Sequence, residues 1–576
     1  MKYWAKKYLR KGCFFIIVAF ILIISIWGTY KSVYFGCDID ESYAISLSYR
    51  LILGDHLFKE MWEVHQTSAI FMAPFIWLYR IVKGNTIGIV VFLRGIGCFF
   101  QFLVALGVWH SFSKYISKFQ ALILAAVFYN FSPKYLQVFE FCFLAYLFLM
   151  ILFVCILEYL NKPKKIWMIG IGASIAGIVL AYPQTVLLFP IECFILWRIL
   201  RKRETAGKVR KSLCLIIAVT MILGGCYLGL IFSNVSIGEL MENVPLILSD
   251  NSHQISYKEK MCSLIQESFG IVKYILLFVF ITEILQKLFK KIANDLEIKA
   301  GFLVSCIALP IILLLKKVGL QHLDLSYMII MLSVGLLYVI LAHNSNQEGG
   351  NELWGIVLLG GLVFLVVHFS SNLMLYANGG LLLPVVLMLF LMFFIQEKKN
   401  FSVSKIYKAA SYIVLLGFCI SFFIARATMV RFTAVQPMNV WNEYYKVEVG
   451  TLKNIYLTEK EHIQYHSKMA SIQQYLTPED TLLYLGSDAY LYFYVGNQIG
   501  TASTISTPAF DETLVTYYER YPYKMPNILV LDKYYLNLEQ IEKDSKEFSD
   551  WLDENYDIEN RIQEDFAEII FRRTSE

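Results

Sequence analysis

The chain has 576 residues, 57% hydrophobic and 17% charged, with a formal net charge of +5 at pH 7 and a mean hydropathy of +0.55. That apolar content exceeds what a water-soluble core of this length needs, so the composition is that of a membrane protein. Lys and Arg fall in short clusters between apolar runs, not along one polar stripe, which argues against nucleic-acid binding.

The first apolar run, 13 to 30, has no small-residue cleavage site after it and reads as a retained helix. It opens onto Cys37-Asp38-Ile39-Asp40-Glu41-Ser42-Tyr43, where three carboxylates within four residues repel one another unless water, a cation or a helix end offsets them. Glu41 to Leu53 follows, with Tyr43, Leu47, Arg50 and Leu51 at helical spacing before Gly54-Asp55. This predicts a helix lying on the membrane surface. Ile70 to Val82, with Pro74 inside, is too short to span and is expected to lie against the bundle or re-enter it.

Twelve further apolar runs are predicted to span, near 86–109, 119–131, 135–158, 165–181, 184–200, 212–232, 269–289, 299–315, 325–343, 353–371, 379–396 and 407–425. Segments on the side of the N-terminus hold twenty-five Lys and Arg, against about ten opposite. Basic residues are retained in the cytoplasm, so the N-terminus is expected inside and the C-terminal region outside. The outer loop from Ser233 to Ser268, with His253, Tyr257, Lys258 and Lys260, is a candidate lid.

From about Arg426 the composition turns mixed and polar. Helices are expected over Thr458–Leu476 and Leu538–Asn555, and strands over Asp480–Gly486, Asn527–Asp532 and Ala567–Arg572, making a small α/β domain. The predicted organisation is thus a polytopic α-helical membrane domain, 1–425, with about thirteen spans, and an extracytoplasmic α/β domain, 426–576. All eleven cysteines lie between Cys13 and Cys419, mostly in apolar runs, with no zinc spacing or disulfide framework. His462 and His466 are four apart on a predicted helix, but no Glu follows His462 and no third ligand is evident, so a solvated face is the reading.

The acidic loop resembles that of the polytopic C-type (GT-C) glycosyltransferases that use polyprenyl-phosphate sugars, including the protein O-mannosyltransferases and aminoarabinose transferases. Asp40-Glu41-Ser42-Tyr43 matches their Asp-Glu-x-Tyr, Arg50 with Gly54-Asp55 matches the Arg and Gly-Asp that follow, and Trp62-Glu63-Val64-His65-Gln66 stands where they carry Trp and His/Lys-Pro-Pro. Here Gln66-Thr67 replaces the Pro-Pro. Where relatives have a second Asp, this chain offers Asn130, Lys134, Gln137 and Glu140, of which Glu140 is taken as the substitute.

The resemblance implies sugar transfer from a polyprenyl-phosphate donor to a cell-envelope glycan, lipid or protein at the outer face of the plasma membrane, by one inverting displacement. Asp40 is the candidate base, with Glu41 and Glu140 as further catalytic candidates. Asp38, Tyr43, Arg50, His65, Lys316, Lys317 and His322 are the candidate substrate contacts, the basic ones facing the leaving phosphate. No structural metal is expected, and whether a divalent ion assists is left open.

Each assignment has a structural alternative. Asp40 precedes a predicted helix and suits an N-cap, Glu41 suits a first-turn acid, and Asp38 suits a solvated loop. Lys316 and Lys317 suit snorkelling anchors, and His65 suits an interfacial one. The rival functions are a transporter or flippase of lipid-linked saccharides, which would show repeated halves and midplane charges, and a non-catalytic glycan-binding relative.

Overall fold

Helix α1 (Lys2–Tyr34) runs unbroken from the basic N-terminus to the acidic loop. The computed structural model describes residues 2–248, 256, 258–266, 280, 284, 325–343, 351–371, 375–399, 405–431, 438–477, 479–486, 488–494, 496, 498–505 and 511–573. The predicted spans at 299–315 and, but for two residues, 269–289 lie outside the described residues. Among the described residues, seven helical segments are long and apolar enough to cross a membrane, and four apolar helices are shorter.

After α1 come α2 (Ile39–Leu53), α3 (Ala73–Lys83), α4 (Ile89–Phe112), α5 (Lys118–Tyr129), α6 (Phe141–Asn161) and α7 (Lys165–Ala181). Next are α8 (Phe189–Arg201), α9 (Ala206–Phe232), α10 (Ile237–Leu248), α11 (Leu325–His343), α12 (Asn351–Phe369), α13 (Leu383–Lys399) and α14 (Lys405–Thr428). Helix α6 is the centre of the bundle, buried along nearly its whole length and packed on α4 and α7. It approaches α7 closely because Gly177 has no side chain: a Cβ there would lie 2.6 Å from the Phe148 ring. Small residues allow such approach where hydrophobic exclusion from water does not drive helices together.

Helix α2 departs from the expected surface helix. Every residue from Glu41 to Arg50 is buried, because later parts of the chain cover the face that the sequence pattern leaves to water. Ser46 bonds Thr504 (2.6 Å between hydroxyls), Arg50 donates to the Ala502 carbonyl at 3.0 Å, and the helical turn Tyr490–Tyr494 packs against α2. The apolar stretch after it behaves as expected. A 3-10 turn, Gln66–Phe71, leads into α3, whose Pro74 lies in the first turn, where its missing N–H costs nothing. Trp77, Leu78, Ile81 and Val82 are exposed on α3, an apolar face suited to lipid.

The C-terminal region builds a five-stranded mixed sheet from β1 (Thr481–Leu485), β2 (Gln498–Ile499), β3 (Ile528–Asp532), β4 (Ile562–Gln563) and β5 (Ala567–Phe571), in the order β2-β1-β3-β5-β4. Strand β1 pairs in parallel with β2 and β3, and β5 runs antiparallel to β3 with Leu529 opposite Ile570. All five residues of β3 are buried, as expected for a central strand covered on both faces. The helix expected over Leu538–Asn555 is two, Leu538–Asp544 and Lys546–Asn555, broken at Ser545, whose φ of −148° is extended.

Trp62, in the loop between α2 and α3, is fully buried in the C-terminal core, edge-on to Tyr517 at 5.2 Å and under the Arg520 guanidinium at 5.8 Å. Helix α10 joins the same body: Asn243 accepts from Arg520 at 2.8 Å and donates to Tyr521 at 3.0 Å. The candidate lid residues Lys258 and Lys260 are described, while His253 and Tyr257 lie outside the described residues.

Candidate active site

The three acids of the loop have three different surroundings. Asp38, not Asp40, is the N-cap of α2: its backbone is extended and its carboxylate accepts from the Asp40 amide at 2.9 Å. It is buried, not a solvated loop residue. Burial, then the neighbouring Asp40 charge, pushes its pKa up to about 7 despite the opposing pull of Lys134.

Glu41 points inward and is held at two points by Arg94 of α4, Nε to Oε1 at 2.6 Å and Nη2 to Oε2 at 2.5 Å, with both side chains fully buried. The Tyr490 hydroxyl adds a third bond at 2.8 Å. Burial raises the Glu41 pKa, but the Arg94 charge outweighs it and the net shift is downward. A carboxylate so neutralised and enclosed ties α2 to α4 and to the C-terminal region.

Asp40, on the first turn of α2, keeps 28% of its side chain exposed and forms an ion pair with Lys134. Lys134 sits in the turn Pro133–Tyr135, where it and Tyr135 both take left-handed backbone, φ +54° and +58°. Each such residue costs ~1 to 2 kcal/mol, a strain that locates the lysine and has to be offset by its surroundings. The turn is tied by Tyr135 N–H to Ser132 (3.0 Å) and Leu136 N–H to Pro133 (3.1 Å). Burial would lower the Lys134 pKa, but Asp40 foremost, with Cys142 and Glu140, holds it raised.

Glu140 caps α6, accepting from the amides of Cys142 (2.8 Å) and Phe143 (2.5 Å). It is fully buried, and burial pushes its pKa up to about 7 against the charge of Lys134 and the two amide bonds. Phe141 links this group to the loop between α2 and α3: its ring stacks on His65 at 3.6 Å and lies 5.4 Å from the Lys134 ammonium. Tyr182 stands edge-on to His65 at 5.7 Å and bonds Cys142 at 2.8 Å. The structure therefore brings Asp38, Asp40, Glu140 and His65 together around Lys134 and Phe141.

Arg50 is not at this cluster. It is fully buried and bonds Asp55 (2.8 Å) and the carbonyls of Ala502 and Glu60, so it fastens the first loop to the C-terminal region. Tyr43 is buried in the same helix. Lys316, Lys317 and His322 lie outside the described residues. Arg94, Tyr490 and Lys134 complete the acidic motif without having been selected from the sequence. Among the described residues no group of three or more His, Cys, Asp or Glu is arranged to hold a metal ion.

Lys31 and Arg431, together with Arg94, are buried where α1 and α14 end. Lys31 donates to the carbonyls of Arg426 and Met429, and Arg431 to those of Ser32 (2.9 Å) and Tyr135 (3.2 Å). Arg94 donates to Gly36 at 2.7 Å. Apart from that of Tyr135, these carbonyls lie at or just beyond the two helix C-termini, where a positive charge is also favoured by the dipole. Beside the cluster, an apolar cleft of about 540 Å³ runs between the 3-10 turn and helices α6, α7 and α9, lined among others by Phe71, Phe148, Leu180 and Tyr227. Leu180 is two residues from Tyr182, and its carbonyl accepts from Thr67 at 2.8 Å.

No family model matches the chain, and no curated protein does. Among solved structures it is similar to an Archaeoglobus fulgidus oligosaccharyltransferase in complex with Zn and sulfate, with 11% identity, a TM-score of 0.45, and coverage of 89% of this chain and 68% of that one. It is also similar to ArnT from Cupriavidus metallidurans in the apo state, with 11% identity, a TM-score of 0.43, and coverage of 97% and 98%. The same ArnT bound to undecaprenyl phosphate matches with 12% identity and a TM-score of 0.39 over 96% and 97%.

Proposed function

We propose that the chain is a membrane glycosyltransferase that moves a sugar from a polyprenyl-phosphate donor to a hydroxyl of a cell-envelope glycan, lipid or protein, at the outer face of the plasma membrane. The observation that carries this reading is the division of roles inside one acidic motif. Asp38 is used up as a cap and Glu41 as the partner of Arg94, while Asp40 alone of the three remains partly open, beside a lysine.

In this reading the acceptor oxygen bonds to the anomeric carbon as the bond from that carbon to the phosphate oxygen breaks, and the hydroxyl proton passes to Asp40. The lipid phosphate leaves with its extra charge, which the nearby Lys134 ammonium can stabilise. One displacement of this kind inverts the anomeric centre. Glu140, at a pKa of about 7, can exchange a proton with its surroundings near neutrality. The apolar cleft lined by Phe71, Phe148, Leu180 and Tyr227 suits the prenyl chain by its lining and by its volume of about 540 Å³. Residues 426–576 would then form an extracytoplasmic domain covering the site from outside.

The test is sugar transfer by the purified, reconstituted protein with a panel of polyprenyl-phosphate sugars, with Asp40→Asn beside the wild type. Transfer that falls about 100-fold or more in a folded variant supports the reading. Movement of intact lipid-linked sugar across the bilayer by both proteins, without cleavage, replaces it with the transporter.

A further inference from the structure

Carboxylates gathered at a site of phosphate departure have two ways of being neutralised. A divalent cation can bridge them and receive the leaving oxygen, or a side-chain ammonium can stand among them. Here Lys134 is ion-paired to Asp40, and its ammonium lies over the ring of Phe141, the residue that follows Glu140. Two successive left-handed residues, Lys134 and Tyr135, fix the direction in which that lysine leaves the backbone. The turn that carries it is closed by its own hydrogen bonds, and the Tyr135 carbonyl is held by Arg431.

Resting on the transferase reading above, we infer that Lys134 is a resident counter-ion, filling the place between Asp40 and Glu140 that a divalent metal would otherwise take, so that transfer at this site needs no metal ion. A metal entering between these carboxylates has to displace an ammonium that Asp40 already neutralises. Glu140 is a weak competitor for such an ion, because burial holds its pKa near 7 and both its oxygens are engaged by amides. The ammonium carries three donors, so one can face Asp40 while another meets a phosphate oxygen. Lys134 is therefore a phosphate-binding and charge-balancing residue that leaves Asp40 as the proton acceptor.

The inference is tested on the full chain in detergent with Mn2+ alone, read by the loss of the free-ion EPR signal, which needs no sugar transfer. The wild type is expected to leave Mn2+ free. Lys134→Ala, with Lys134→Gln as a second variant closer in length, is expected to bind one Mn2+ roughly tenfold or more tightly than wild type. Adding Asp40→Asn to either variant is expected to abolish that binding. A wild-type Mn2+ site that Asp40→Asn removes overturns the inference, and so do folded Lys134→Ala and Lys134→Gln proteins that take up no ion. Transfer that EDTA abolishes and Mn2+ restores in wild type also overturns it. An absence of any transfer, with Mn2+ binding as expected, counts against the transferase reading instead.

Discussion

Glu41 and Arg94 meet in a two-point ion pair, 2.6 and 2.5 Å, with no exposed surface on either side chain. Removing one partner of such a pair leaves a buried charge uncompensated, at a cost of roughly 3 to 5 kcal/mol. Glu41→Gln is therefore expected to lower the yield of folded protein sharply and to reduce its melting temperature in detergent. Asp40→Asn, one residue away and 28% exposed, is expected to lower melting less than Glu41→Gln while abolishing transfer. Equal thermal losses in the two variants would contradict this separation.

Trp62 anchors the loop between α2 and α3 in the C-terminal core, between Tyr517 and Tyr521 and under Arg520. Trp62→Ala is expected to cost about 3 to 5 kcal/mol and to free the loop. Limited proteolysis reads this directly, as new cleavage between Asp55 and Glu63 that the wild type resists.

Glu140 gives the fold a pH dependence of definite sign. Its pKa is about 7 folded and about 4.3 unfolded, so the folded state holds the extra proton between those values. The stability this contributes is fully present below about pH 4 and is lost as pH rises through 7, on the order of 3 kcal/mol in all. Melting temperature is expected to fall between pH 5 and pH 8, and to fall less in Glu140→Gln, which cannot titrate. An equal slope in both proteins would place the proton elsewhere.

Gly97 and Gly95 form a matched pair on α4. A Cβ at Gly97 would sit 1.9 Å from the Gln137 carbonyl oxygen, in the segment that leads to Glu140, whereas nothing lies within 4 Å of one at Gly95. Gly97→Ala is expected to destabilise by roughly 1 to 3 kcal/mol and to depress transfer by shifting that segment. Gly95→Ala is expected to be neutral or to stabilise by up to ~1 kcal/mol through helix propensity. Melting curves of the two variants decide the matter.

The apolar runs made much of the helical order readable, because a span must satisfy its backbone internally and announces itself by length. Strands β1, β3 and β5 were readable for a similar reason, as short apolar runs between polar breaks. The meeting of Asp40 with the segment of Glu140 was reached through resemblance to a family, whereas nothing in local pattern foretold Lys134, which is 94 residues from its partner. The same limit hid the burial of α2. Its period matched a surface helix, and only the arrival of Tyr490, Ala502 and Thr504 changed its solvent. Asp38 rather than Asp40 became the cap because α2 begins two residues earlier than its apolar period suggests.

The carbonyl-capping cations set an order in time. Lys31 emerges from the ribosome early, yet the Arg426 carbonyl it binds lies 395 residues later. At 5 to 20 residues per second that partner is about 20 to 80 s behind. Through that interval the end of the first helix has neither of its last fasteners, so its beginning is locked only once α14 has been made. A stalled chain carrying α1 through α13 is expected to leave the Lys31 amine open to acylating reagents that spare the completed protein.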